Sequence, residues 1–223
     1  MLLSVDLRAF FDYVTTNIIR RSYLQEITEE DESFEGQRYG RNKETQIDNT
    51  YIDSGEYRRK FDLISDNDLL NKRLYELAKK MLKHRAGTLL EDMYWITPDT
   101  AEVVASETNG AVKERVDYSD TTRRVVDSVK GLITIHTHPH SYPPSVDDFN
   151  SNFNHEYALG IICCHNGRIF VYNASEEIDK ELYSAYIQKL KLEGKTEFEA
   201  QWTALELIRE NSDINFKEVG INE

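Results

Sequence analysis

Two histidines, His136 and His138, come at the end of a predicted buried strand over residues 132–135. Residues i and i+2 of a β-strand share one face, so both imidazoles can reach the same ion. Asp148 follows after a loop that contains two consecutive prolines, at the predicted start of a helix. Two histidines and a carboxylate that leave one position open are typical ligands of catalytic zinc. The sequence therefore predicts a catalytic zinc site at His136, His138 and Asp148.

The spacing around these ligands resembles a known family. His136-Thr-His138-Pro139, followed by Pro144-Ser145-Val-Asp-Asp148, looks like the signature of the JAMM metallopeptidases, also called MPN+ or JAB. A joint pattern of this length is more specific than a single His-x-His pair. The family includes deubiquitinating isopeptidases and prokaryotic relatives, and its fold is similar to that of cytidine deaminase. The resemblance covers about residues 68–175.

The resemblance implies a role for each residue of the motif. His136, His138 and Asp148 would ligate Zn²⁺, and a water molecule would complete the tetrahedron. Ser145 would help to hold the oxyanion that develops on the attacked group. Asp147 is a competing ligand by residue type, but the spacing of the motif favours Asp148.

The family also uses a glutamate as general base, on a strand that follows the first helix. Glu91 occupies the matching place, because it comes directly before the predicted strand Met93–Ile96. Glu107, at the far end of the next strand, is the rival. The order along the chain favours Glu91, since the family places its glutamate before the first hairpin.

Helices and short strands alternate around these residues. Apolar spacing, capping residues and turn residues predict the following elements: a helix capped by Asp66 or Asp68 and ended by Gly87, strands over 93–96 and 101–105, a helix over 119–129, strands over 132–135, 157–164 and 168–172, and helices over 180–192 and 197–211. This alternation predicts an α/β (α+β) fold with a mixed sheet flanked by helices. The resemblance narrows it to a cytidine-deaminase-like JAB/MPN sheet.

The ends of the chain fall outside the resemblance. Residues 1–65 are predicted to form an N-terminal extension, with an amphipathic helix from Val5 to about Tyr23 and then an acidic and polar linker. Residues 66–178 would form the JAMM-like domain. Residues 179–223 would form C-terminal helices that pack on it.

Composition restricts the partners and the compartment. The 223 residues carry a formal net charge of −13, which disfavours binding to nucleic acid. No signal-peptide core and no membrane-length apolar stretch is present, so we expect a cytoplasmic protein. Cys163 and Cys164 are adjacent within an apolar run, which is typical of small buried residues in a reducing compartment.

These features predict a zinc metallopeptidase or isopeptidase that acts on a protein or peptide, such as a ubiquitin-like tail. A second hypothesis is a binding module that keeps the fold without catalysis. A third is a zinc deaminase, which is disfavoured because that class uses a Cys-x-x-Cys pair and Cys163-Cys164 lacks this spacing. The substrate, the scissile bond and the oligomeric state stay open at this stage.

Overall fold

The structure, a computed structural model, describes residue 40 and residues 42–220. The helices are α1 (Asn49–Ile52), α2 (Gly55–Phe61), α3 (Asp68–Arg85), α4 (Asp120–Ser128), α5 (Val146–Asn154), α6 (Lys180–Leu192) and α7 (Glu197–Arg209). The strands are β1 (Met93–Ile96), β2 (Val103–Glu107), β3 (Ile133–His138), β4 (Leu159–Cys164), β5 (Ile169–Ala174) and β6 (Ile214–Glu218). Within the described ranges, no helix combines the length and the apolar character needed to cross a membrane.

The strands form one mixed sheet in the order β2-β1-β3-β4-β5-β6. The central pair β3 and β4 runs parallel, joined by α5, and the other neighbouring pairs run antiparallel. The predicted mixed α/β architecture is therefore confirmed. The narrower expectation of a JAB/MPN sheet stays a prediction.

Several element boundaries differ from the sequence prediction. Asn67, rather than Asp66 or Asp68, caps α3, because its side chain accepts hydrogen bonds from the amides of Leu69 and Leu70. Strand β6 was not predicted; it follows α7, which ends at Arg209 rather than near residue 211. Strand β6 has five residues, of which only two are buried and apolar, so its sequence gives a weak strand signal.

Helices α1 and α2 lie inside the segment that the sequence assigns to the N-terminal extension. Their residues Ile52, Tyr57 and Phe61 are buried in the same apolar cluster as α3 and one face of the sheet. Residues 42–61 therefore contribute to the main core. The amphipathic helix predicted from Val5 to about Tyr23 lies outside the described residues.

Strand β3 divides its side chains between two faces, as the two-residue period of a strand requires. Ile133 and Ile135 pack into the apolar cluster that α3 covers. His136 and His138 point to the opposite face. The apolar contacts on one face thus fix which face receives the histidines.

Tyr172 of β5 supports that second face. A Cβ atom on Gly160 of the adjacent strand β4 would lie 2.1 Å from the Tyr172 ring, so the ring occupies space that only glycine leaves free. The ring centroid of Tyr172 lies 5.3 Å from that of Phe149 in α5 and 6.5 Å from that of His136. Tyr172 therefore connects α5 to the strand that carries the histidines.

We expect Gly160→Ala to lower the free energy of unfolding by about 1–3 kcal/mol, because the new methyl group overpacks against Tyr172. Urea unfolding followed by circular dichroism measures the change. Gly55→Ala is the control, since its added Cβ would meet only the Arg59 side chain at 3.6 Å. Equal stability of the two variants would contradict the role assigned to Gly160.

Candidate metal centre

The predicted ligands meet at the carboxyl end of β3. His136 and His138 end the strand, and Asp148 lies in the first turn of α5. In the part of the chain that the structure describes, they form the one group of histidine, cysteine and acidic side chains that could hold a metal ion. His136 is 3% exposed, so this is an enclosed group rather than a surface cluster.

The separations of the three ligand atoms fit a small ion. His136 Nε2 lies 3.1 Å from His138 Nε2 and 3.2 Å from Asp148 Oδ1, and His138 Nε2 lies 3.5 Å from Asp148 Oδ2. With bonds of about 2.0–2.1 Å, ligands at the corners of a tetrahedron are about 3.4 Å apart. The three side chains are therefore close enough for one ion to contact all of them.

The start of α5 orients the Asp148 carboxylate. Its Oδ2 accepts hydrogen bonds from the amide and the hydroxyl of Ser145, each at 2.7 Å. In return, the Asp148 amide donates to Ser145 Oγ at 3.2 Å, which completes a capping box. Because Ser145 engages Oδ2, Oδ1 is directed toward His136.

The outer nitrogen of His138 is also engaged. His138 Nδ1 lies 3.4 Å from the Tyr142 carbonyl, a contact that favours a proton on Nδ1 and leaves Nε2 for a metal. His136 Nδ1 is buried and has no hydrogen-bond partner among the described residues. The Nε2 atoms of both rings face the Asp148 carboxylate.

The charges of the group stabilise one another. Burial disfavours the charged forms, but the imidazoles of His136 and His138 hold the pKa of Asp148 well below its usual range. Burial likewise opposes protonation of His138, yet its hydrogen bond to Asp148 and the charge of Glu91 raise the pKa of His138 to about 9. A metal ion entering the group would displace such a proton, since it needs the neutral imidazole.

Glu91 lies at the same site. It is 8% exposed and lines a cleft of about 770 Å³ together with His136, His138 and Asp148. The β1–β3 register pairs Met93 with His136, so its continuation by two residues brings Glu91 opposite His138 on the same face. Burial raises the pKa of Glu91, and the nearby imidazoles offset only part of that effect.

Glu107, the rival glutamate, has a different place. Its carboxylate accepts a hydrogen bond from the Ser119 amide at 2.8 Å and another from the Thr122 hydroxyl. It therefore supports the first turn of α4. Glu107 is not among the described residues that line the cleft with the three ligands.

Aromatic residues that the sequence did not single out form one wall of the cleft. Tyr118 packs edge-on against Trp95, with ring centroids 4.9 Å apart, and its hydroxyl lies 3.0 Å from Ser151 Oγ. Tyr157 accepts a hydrogen bond from Trp95 Nε1 at 2.9 Å. No local motif marks these tyrosines, because only the tertiary fold brings them together.

The two cysteines do not join the metal group. Cys163 and Cys164 are free, fully buried and divided between the apolar clusters on the two faces of the sheet. Burial raises the pKa of the Cys163 thiol to about 12 and holds the pKa of the Cys164 thiol well above its usual range. Both are therefore small core residues, and the cysteine ligands of a zinc deaminase are not assembled by the described residues.

Comparison of the chain with protein-family models, with curated proteins and with solved structures finds no match. The geometry of the site and the sequence motif are therefore the features that indicate a function.

Removing ligands should remove the metal. We expect the wild-type chain to carry about one Zn²⁺ and the His136→Ala/His138→Ala double variant to carry none, because one carboxylate cannot retain the ion alone. Elemental mass spectrometry of purified protein measures the content. His140→Ala is the control, since His140 lies nearby on the cleft rim and bonds Glu114 at 3.0 Å. Equal metal in wild type and double variant would contradict the site.

Replacing Ser145 tests whether the capping box positions Asp148. We expect Ser145→Ala to lower the free energy of unfolding by about 1 kcal/mol and to weaken Zn²⁺ binding by about 10-fold, because Asp148 loses one of its two orienting contacts with Ser145. The matched control is Thr196→Ala, which removes the N-cap of a second capping box at the start of α7. Chelator competition measures affinity. Unchanged affinity in both variants would show that Ser145 only caps the helix.

Proposed function

We propose that the protein is a zinc-dependent hydrolase of peptide or isopeptide bonds. The single observation that carries the proposal is the convergence of two histidines, one aspartate and a buried glutamate in one cleft. A structural zinc site is closed by four protein ligands, whereas three ligands leave a position for water or substrate. A carboxylate beside that open position is the remaining requirement for hydrolysis.

Zinc is the proposed metal because it suits the donors and the motif. Imidazole nitrogen and carboxylate oxygen are ordinary zinc ligands, and Ca²⁺ and Mg²⁺ prefer oxygen alone. Iron also uses two histidines and a carboxylate, but neighbouring ligands of an octahedron would be about 3.0 Å apart. The observed separations of 3.1, 3.2 and 3.5 Å span both values, so the choice of zinc over iron depends on the resemblance of the motif to that of zinc metallopeptidases. When bound, zinc supplies Lewis-acid activation of water and of a carbonyl group.

Glu91 is the proposed general base. Its carboxylate takes a proton from the attacking water and later delivers it to the leaving amine. The burial that raises the pKa of Glu91 suits this exchange, because a carboxylate with a higher pKa is a stronger base. Its position on the face of His136 and His138 supports this role.

Ser145 has two proposed roles. Its hydroxyl donates to Asp148 in the structure, which orients the ligand. To donate to an oxyanion as well, the hydroxyl must exchange this bond for one to the substrate. The Ser145 amide donates to the same Asp148 oxygen, so the carboxylate keeps one contact during such an exchange.

The peptide or isopeptide substrate is proposed from the motif, which resembles that of the JAMM metallopeptidases. A ubiquitin-like tail or another peptide is the corresponding substrate class. The open cleft has a volume of about 770 Å³, and ligand pockets commonly span about 300–1,000 Å³. The cleft is therefore large enough to hold a short stretch of peptide.

We expect Glu91→Gln to reduce kcat by about 10²–10⁴-fold while Zn²⁺ content stays near wild type, because the amide cannot accept the proton. The assay uses zinc-loaded protein, isopeptide-linked ubiquitin chains and a panel of linear peptides. Glu107→Gln is the matched control and should retain activity within a few-fold, since Glu107 supports α4.

Equal losses in the two glutamate variants would overturn the assignment of Glu91. Zinc-loaded wild type without activity on the whole panel would instead support the hypothesis of a non-catalytic binding module. Iron in place of zinc in the purified protein would overturn the choice of metal.

A further inference from the structure

Asp92 follows the proposed base, Glu91, and its side chain lies on the opposite face of the sheet. Successive residues of an extended strand alternate, so Glu91 faces the cleft and Asp92 faces the end of α3. Asp92 is 1% exposed. A carboxylate buried to this degree is costly unless it is paired and hydrogen-bonded, so its contacts require an explanation.

The contacts of the Asp92 carboxylate join it to the last turn of α3. Asp92 Oδ1 accepts a hydrogen bond from Arg85 Nε, and Oδ2 lies 2.7 Å from His84 Nδ1. Arg85 is itself 6% exposed, and its Nη2 donates to the carbonyl of Thr108 at 2.5 Å. Through Arg85, Asp92 therefore ties α3 to the segment that follows β2.

The backbone of Asp92 holds the strand that carries the ligands. Its amide donates to Thr137 Oγ1 at 3.1 Å, and its carbonyl accepts from the Thr137 amide, also at 3.1 Å. Thr137 lies between His136 and His138 and is fully buried. Asp92 is thus the neighbour of the proposed base and also contacts the residue between the two candidate histidine ligands.

We propose that Asp92 is a positioning residue, which holds the strand that carries the metal ligands in place from the back of the sheet. Arg85 anchors the Asp92 side chain, and the two bonds to Thr137 set the register in which Glu91 stands opposite His138. This inference depends on the proposed metal site. It adds a residue that the motif does not contain and that touches neither metal nor substrate.

Contacts that hold a metal ligand in place without touching the metal affect the site strongly, because a small displacement of one ligand changes the geometry of all the bonds to the metal. Removing them typically weakens metal affinity by about 10–100-fold. The loss of one member of a buried ion pair also destabilises the fold, since the other charge stays buried. A test must therefore separate lost positioning from lost stability.

The experiment uses the full chain with Co²⁺ and Zn²⁺ as probes. Competition with a chelator gives the affinity, and the ligand-field absorption of bound Co²⁺ reports the coordination geometry. The first variant is Asp92→Asn. The control is Glu218→Gln, which breaks another partly buried pair, with Arg168 at 2.9 and 2.5 Å between β5 and β6, away from the cleft.

A second pair of variants avoids the buried charge. Thr137→Val removes the hydroxyl that accepts from the Asp92 amide, and Thr137→Ser keeps it. We expect Asp92→Asn and Thr137→Val to weaken Zn²⁺ binding by about 10-fold or more and to alter the Co²⁺ spectrum. Thr137→Ser and Glu218→Gln should bind within about 3-fold of wild type, with an unchanged spectrum.

Three outcomes decide the proposal. The expected contrast between variants and controls supports positioning by Asp92. Metal binding in wild type with equal affinity and spectra in all variants overturns the positioning role and leaves the metal site standing. No binding of Zn²⁺ or Co²⁺ by the wild type overturns the proposed function, and the positioning role with it.

Discussion

The alternation of side chains along β3 is the constraint on which the whole site depends. The apolar core beneath α3 takes Ile133 and Ile135, and a shift of one residue would bury the histidines there instead. Hydrophobic packing on one face thus specifies a polar arrangement on the other. Because β3 is central, with β1 on one side and β4 on the other, its register is fixed from both sides. His136 and His138 are consequently held in place by β1 and β4, which contain none of the candidate ligands.

The second part of the site arises from helix capping. Ser145 and Asp148 satisfy free amides at the start of α5, which many helices do with the same residue types. Here the capping carboxylate also faces the two imidazoles. The Ser-x-x-Asp spacing is therefore explained both by helix capping and by metal binding. The two explanations are compatible, because the capping bonds hold the Asp148 carboxylate in the orientation that a metal would need. The arrangement lowers the entropic cost of assembling the ligands.

The sequence predicted the three ligands and the mixed sheet because these features have local signals. His-x-His after an apolar strand, and a serine that caps a helix, can be recognised without the tertiary fold. The position of Glu91 needed the β1–β3 register, which a single sequence does not specify. Strand β6 was missed because its stability comes from pairing with β5 rather than from its own residues. The contribution of Tyr57 and Phe61 to the main core was missed because a polar segment precedes their short helix.

The electrostatic balance of the cleft explains how such a group can be buried. Two carboxylates, Glu91 and Asp148, lie near two imidazoles, and each carboxylate favours the protonated state of His138. Burial of any one of these charges alone would be unfavourable, but the opposite charges of the carboxylates and imidazoles stabilise one another. A divalent cation can then replace the proton without a new source of negative charge. One ligand atom of each residue lies within 4.8 Å of the others, so a small ion could contact all three side chains without a rearrangement of the strand or the helix that carry them.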